Sequence, residues 1–139
     1  MVITITSNKK EIYNWKDKNI LVVEDELMCY RLIELTLAPT KAKLLRAENG
    51  ERAIEICNDN EDIDIVLMDI QLPQLSGFEA TERIRTIRPE LPIVAQTAYA
   101  MSTQKARCFE AGCTDYITKP YDGKKLLDII HKHINHSSR

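Results

Sequence analysis

Five short apolar runs, each followed by a helical pattern, constrain this chain more than any other feature. They are Ile20 to Val23, Ala42 to Ala47, Ile63 to Met68, Pro92 to Gln96 and Thr114 to Thr118. Near-continuous apolar strands are buried on both faces, and strands that alternate with helices build a parallel sheet from βα units. The helical segments are expected to run as follows. The first reaches about Ala38 and is stopped by Pro39; the second opens at Asn49 and Gly50 and ends near Asn58. The third spans Phe78 to Ile87, and the fourth runs from Ser102, read as an N-cap, to Ala111, with Gly112 as its C′ residue. The last covers about Gly123 to Ile134, where Leu126, Leu127, Ile129, Ile130 and Ile134 supply one apolar face.

A chain of 139 residues can bury the core of one domain without disulfides or structural metal. That domain is expected over 19–135, preceded by a linker or N-terminal extension over 1–18 and followed by a polar tail over 136–139. With 44% hydrophobic and 29% charged residues the composition is that of a soluble globular protein. The net charge of -2 provides no general attraction to nucleic acid or anionic lipid. Ile63 to Ile70, interrupted by aspartates, is far short of the roughly 20 apolar residues that cross a bilayer. Met1 to Lys10 lacks the layout of a signal peptide, so a cytoplasmic location without membrane contact is expected. Cys29, Cys57, Cys108 and Cys113 show no zinc-type spacing and read as reduced, mostly buried thiols.

In an open parallel sheet, ligands bind beyond the carboxyl ends of the strands. The residues there are Glu24 and Asp25, Asp69, Thr97 and Lys119. Three carboxylates gathered at one edge repel each other unless a cation lies among them, and hard oxygen donors suit Mg²⁺ at Asp25 and Asp69. An aspartate can also act as a nucleophile toward phosphorus and form an acyl phosphate once the incoming charge is neutralised. Metal on one side and Lys119 on the other would neutralise it. The Thr97 hydroxyl can donate to a phosphoryl oxygen, and the small Ala98 leaves room for the group to enter. Taken singly, each residue is ordinary: strand-end aspartates usually cap or turn, and acidic clusters and lysines are usually solvated. The pointer is their combination on one edge.

The chain resembles the response-regulator receiver family of two-component systems through V-V-E-D-E at 22–26, V-L-M-D-I-Q-L-P at 66–73, T-A at 97–98 and Y-I-T-K-P at 116–120. The resemblance covers about 18–135. It implies a flavodoxin-like, doubly wound α/β fold, a five-stranded parallel sheet in the order 2-1-3-4-5 with five helices. It also implies Asp69 as the phosphorylated residue, Asp25 as a direct Mg²⁺ ligand, Glu24 holding the ion through water, and the backbone carbonyl of Gln71 as a further ligand. Thr97 would be the switch hydroxyl, Lys119 the phosphate-binding lysine, and the bond between Lys119 and Pro120 cis. Tyr116 would be the aromatic switch residue, unless it simply packs on a neighbouring helix. Gln71 and Tyr99 flank the site and would tune how long the phosphoryl group survives.

The implied donor is a phosphohistidine on a histidine kinase or phosphotransfer domain, transferring by in-line attack. The readout face would be the fourth helix, fifth strand and fifth helix, about 102–134, meeting a downstream protein or forming a phosphorylation-dependent dimer. The motif wording is most similar to receivers of hybrid sensor histidine kinases, whose parent chain would be a kinase and could be membrane-anchored. A freestanding single-domain response regulator is the alternative, and in either case the domain turns over nothing beyond its own phosphorylation and dephosphorylation. Rival readings fit less well. A Mg²⁺-dependent aspartyl-phosphate phosphatase ordinarily needs an acid two residues after the nucleophile, where Gln71 stands. A flavin site would need amides or hydroxyls after the first strand, where Glu24, Asp25 and Glu26 repel phosphate. A degenerate interaction module would lack at least one of Asp25, Asp69, Thr97 and Lys119.

Overall fold

The structure, a computed structural model, describes residues 13–98 and 101–134. Its elements are β1 (Asn19–Val23), α1 (Leu27–Leu37), β2 (Lys43–Ala47), α2 (Gly50–Asp59), β3 (Ile65–Asp69), α3 (Gly77–Ile87), β4 (Ile93–Thr97), α4 (Ser102–Ala111), β5 (Asp115–Thr118) and α5 (Gly123–Ile134). All strand pairs are parallel, in the order β2-β1-β3-β4-β5. The alternating pattern implies the parallel sheet, and the doubly wound order is the one that the family resemblance implies.

Composition explains which strands are central. β3 and β4 are buried along their whole length and β1 nearly so, whereas β2 carries Lys43 and Arg46 and β5 is half-buried. Charges on an edge strand discourage pairing with another chain. Alternate residues then divide between two layers. Ile20, Val22, Ile65, Leu67 and Val94 pack under α1 and α5, while Leu21, Val23, Val66, Met68, Ile93 and Ala95 pack under α2, α3 and α4.

Three local expectations are corrected. Helix α1 ends at Leu37, and Pro39 lies inside a 3-10 turn, Ala38–Thr40, because proline tolerates the start of a helical turn but not its interior. Met101, not Ser102, is the N-cap of α4, and no side chain caps it. Strands β3 and β5 begin one to two residues later than the apolar runs, since Ile63 and Asp64 precede the ladder although both are buried.

The chain from Tyr13 to Lys18 adheres to the domain. Trp15 is buried against the α1–α5 layer and its amide donates to the Thr40 carbonyl at 2.7 Å. Tyr13 stacks between Trp15 and His131, with centroid distances of 5.1 and 4.4 Å. Residues 1–12 and the tail at 136–139 lie outside the described residues. All four cysteines are free, three of them buried and Cys29 half-buried. Among the described residues no helix is long and apolar enough to cross a membrane.

Candidate functional site

Because every strand runs the same way, the sheet delivers five carboxyl ends to one edge. Glu24 directly follows β1 and is buried; its amide is held by the Ala47 carbonyl of β2 at 3.0 Å. Asp25 next to it is exposed. Asp69 closes β3 and is only 6% exposed. Lys119 follows β5, its amide donating to the Thr97 carbonyl at 2.7 Å. Carboxylate oxygens of Glu24, Asp25 and Asp69 lie within 4.8 Å of one another. Lys119 Nζ stands 3.2 Å from Glu24 Oε1 and 3.7 Å from Asp69 Oδ2.

The electrostatics follow from this crowding. Burial pushes the Asp69 carboxyl up from 3.8 to about 6; Lys119 and the Gln71 amide act against that rise, while Glu24 adds to it. Burial alone would lower Lys119, but Asp69 and Glu24 more than offset it, so its ammonium group holds its proton above the ordinary lysine range. A divalent cation among the three carboxylates would relieve the repulsion that one ammonium group does not cancel. The donor set is oxygen only, with one carboxylate open to solvent, which fits Mg²⁺ because that ion retains several waters.

The backbone around the carboxylates is fixed by side chains and amides from neighbouring elements. Arg46 on β2 donates to the carbonyls of Glu24, at 3.1 and 3.2 Å, and of Asp25, at 3.2 Å. The Gln71 amide donates to Asp69 Oδ1 at 3.0 Å. Ser76 and Glu79 form a capping box at the start of α3, and the Gly77 amide donates to the Ile70 carbonyl at 3.0 Å. A Cβ on Gly77 would come within 2.4 Å of the Asp69 carbonyl oxygen and 2.6 Å of Ile70 Cα. Glycine is therefore required there by close backbone approach. Neither Gly77 nor Arg46 stands out in the sequence; only the tertiary approach of α3 and β2 gives either a role.

Thr97 is 2% exposed at the end of β4, one residue beyond the register partner of Asp69, with Ala98 exposed beside it. Tyr99 lies outside the described residues. Gln71 is exposed at the start of the β3–α3 loop. The bond between Lys119 and Pro120 is cis. Tyr116 does not join the carboxylates. Its ring meets Phe109 of α4 edge-on at 6.3 Å, and Lys105 Nζ lies 5.3 Å from its centroid. Two further residues at this edge, Gln96 and Tyr121, were not read from the sequence. The Tyr121 hydroxyl donates to Gln96 Oε1.

Comparison with known proteins gives a consistent result. The family model described as response regulator receiver domain matches residues 20–131. Hybrid signal transduction histidine kinase I of Dictyostelium discoideum is 37% identical over 125 residues, covering 84% of this chain and 7% of that protein. Polar-differentiation response regulator DivK of Brucella anthropi is 30% identical over 120 residues, covering 84% of this chain and 96% of that protein. The receiver domain of sensor histidine kinase PA1611 from Pseudomonas aeruginosa PAO1, solved with a magnesium ion coordinated in its active site cleft, is 32% identical with a TM-score of 0.79. That match covers 85% of this chain and 98% of the solved one. The chain spans 7 to 18% of the length of the first curated relatives it matches.

Proposed function

The chain belongs to the response regulator receiver domain family, and on that premise we propose that it accepts a phosphoryl group from phosphohistidine onto Asp69. One observation carries this reading: the carboxylates of Glu24, Asp25 and Asp69 converge beside the Lys119 ammonium at a single sheet edge. An Asp69 carboxylate oxygen attacks phosphorus, the P–N bond to the donor imidazole breaks, and its electron pair leaves with the imidazole, which carries a proton away. Well above pH 6 the Asp69 carboxyl is largely ionised and ready to attack. Lys119 meets the transferring charge, and the Thr97 hydroxyl donates to a phosphoryl oxygen. Mg²⁺ held by Asp25, Asp69 and the Gln71 carbonyl, with Glu24 reached through water, would supply Lewis-acid neutralisation of the phosphoryl oxygens. The PA1611 receiver, with its magnesium ion, supports that assignment.

Phosphorylation then biases two conformations through Thr97 and Tyr116. Output leaves by the α4, β5 and α5 face at about 102–134, where exposed Phe109 lies edge-on to Tyr116 and supports contact with a downstream protein or a second receiver. The donor, a histidine kinase or phosphotransfer domain, approaches from the α1 side. Met28, Leu32 and Leu35 there form an exposed apolar stripe, and Leu32 borders the groove lined by Glu24 and Lys119. The higher identity to the hybrid kinase than to DivK supports a receiver of a cytoplasmic phosphorelay belonging to such a kinase.

The test is intact mass and Phos-tag mobility after incubation with Mg²⁺ and acetyl phosphate or phosphoramidate. Wild type gains one phosphoryl group only with Mg²⁺, and Asp69→Asn gains none. No gain by wild type with either donor would leave the chain as a degenerate interaction module.

A further inference from the structure

Gln96 is fully buried on the strand that carries Thr97, in register with Asp69. It shares the parity of Val94 and so faces the α1–α5 layer. There its Oε1 accepts the Tyr121 hydroxyl at 2.5 Å, while its Nε2 has no hydrogen-bond partner among the described residues. A buried polar group left unsatisfied is destabilising, and apolar residues of the same shape at both positions would avoid that cost. Packing alone therefore does not explain this pair.

Its place in the chain does. Tyr121 stands two residues after Lys119, beyond the cis bond. The Lys119 amide is held by the Thr97 carbonyl, and Tyr121 is held by the Gln96 side chain. The turn that carries the lysine is thus tied at two points to adjacent residues of β4, and only the second tie depends on side-chain chemistry. Tyr121 also walls a groove of about 360 Å³ together with Glu24, Cys29 and Lys119, so a displaced ring would change the space around the ammonium group. Burial first, and then the charges of Glu24, Cys29 and Asp69, hold the phenol proton on, which keeps Tyr121 a donor.

We propose that Gln96 and Tyr121 are positioning residues, their hydrogen bond holding the Lys119–Pro120–Tyr121 turn so that the ammonium group meets the phosphoryl group arriving at Asp69. This rests on the reading of Asp69 as phosphoacceptor. Side-chain identity at 96 and 121 then governs the rate of phosphorylation separately from stability, because the apolar pair repairs the packing and leaves the turn untied.

The full chain is compared as wild type, Tyr121→Phe, Gln96→Leu and the double variant, with Mg²⁺ and increasing phosphoramidate, and thermal midpoints are measured in parallel. Each single variant should take up phosphoryl about 2 to 10 times more slowly, the scale of one neutral hydrogen bond. The double variant should be no slower than the singles, since they remove one shared interaction, yet it should regain or exceed wild-type thermal stability. Rates that track the midpoints, falling in the singles and recovering in the double, would overturn the proposal, as would wild-type rates in all three. A wild type that takes up no phosphoryl group would instead overturn the reading of Asp69, and the positioning role with it.

Discussion

Lys119 leans toward Glu24: its Nζ lies 3.2 Å from Glu24 Oε1 and 3.7 Å from Asp69 Oδ2. A cation entering the carboxylates competes with that ammonium group for Glu24. Lys119→Met should therefore bind Mg²⁺ roughly five- to tenfold more tightly, a change of about 1 kcal/mol in line with a partly screened charge pair. Phosphorylation by acetyl phosphate should fall at least about tenfold, because the charge that meets the phosphoryl group is gone. Titration calorimetry and Phos-tag gels read the two effects. Unchanged Mg²⁺ affinity would mean that the lysine and the ion do not share Glu24.

Although Lys119 stands 3.7 Å away, Asp69 makes stability depend on pH as a buried carboxylate does, because burial outweighs that pair. Its folded value of about 6 lies above the ordinary 3.8, so the folded state holds the proton more tightly than the unfolded chain. Stability is then lost as pH rises from about 4 to 6, and the loss, about 2–3 kcal/mol, persists above pH 6. In EDTA, Asp69→Asn should be more stable than wild type at pH 7.5 by an amount of this order. The advantage should vanish near pH 4 and shrink when Mg²⁺ is added. Urea unfolding at the two pH values measures it, and a variant no more stable at pH 7.5 would contradict the buried-charge argument.

Gly77 touches the backbone of the proposed nucleophile. Replacing an exposed helix glycine by alanine normally stabilises by up to about 1 kcal/mol. Here the new Cβ would lie 2.4 Å from the Asp69 carbonyl oxygen, so α3 or the end of β3 must shift. Gly77→Ala should destabilise by about 1–3 kcal/mol, as overpacking does, and slow phosphorylation as well. Thermal melts and uptake rates check both; a stabilised variant with wild-type uptake would show that α3 yields without moving Asp69.

Much of this site was legible in the sequence because a parallel sheet converts order along the chain into place on one edge. Glu24, Asp25, Asp69, Thr97 and Lys119 each follow an apolar run, and that alone assigns them to the same side. What was not legible depends on contacts between distant segments. Arg85 spans α3 to the carbonyls of Arg88, Pro89, Leu91 and Gly112, yet in sequence it is one basic residue on a helix. Trp15 lies in a polar stretch and becomes core only because α1 and α5 leave room for it. Gln96 reads as the polar end of a strand, and only the fold shows it fully buried with the Tyr121 hydroxyl donating to its Oε1.

The apolar stripe on α1 separates donor recognition from chemistry. Met28 is 73% exposed and Leu35 is 70% exposed, and with Leu32 they follow helical spacing along one face. None of the three is needed to bury the core on that face, which Tyr30, Ile33 and Leu37 already supply. A protein donor that covers the stripe gains roughly 1.5–3 kcal/mol for each large side chain fully buried. Met28→Gln with Leu35→Gln should therefore weaken transfer from a phosphorylated histidine phosphotransfer domain about tenfold or more, through donor affinity. Stability should change by no more than about 0.5 kcal/mol per substitution, as is usual at exposed positions. Acetyl phosphate is too small to cover the stripe and should load Asp69 at the wild-type rate. If both donors slow together, the stripe acts on the site itself; if neither slows, the protein donor docks elsewhere.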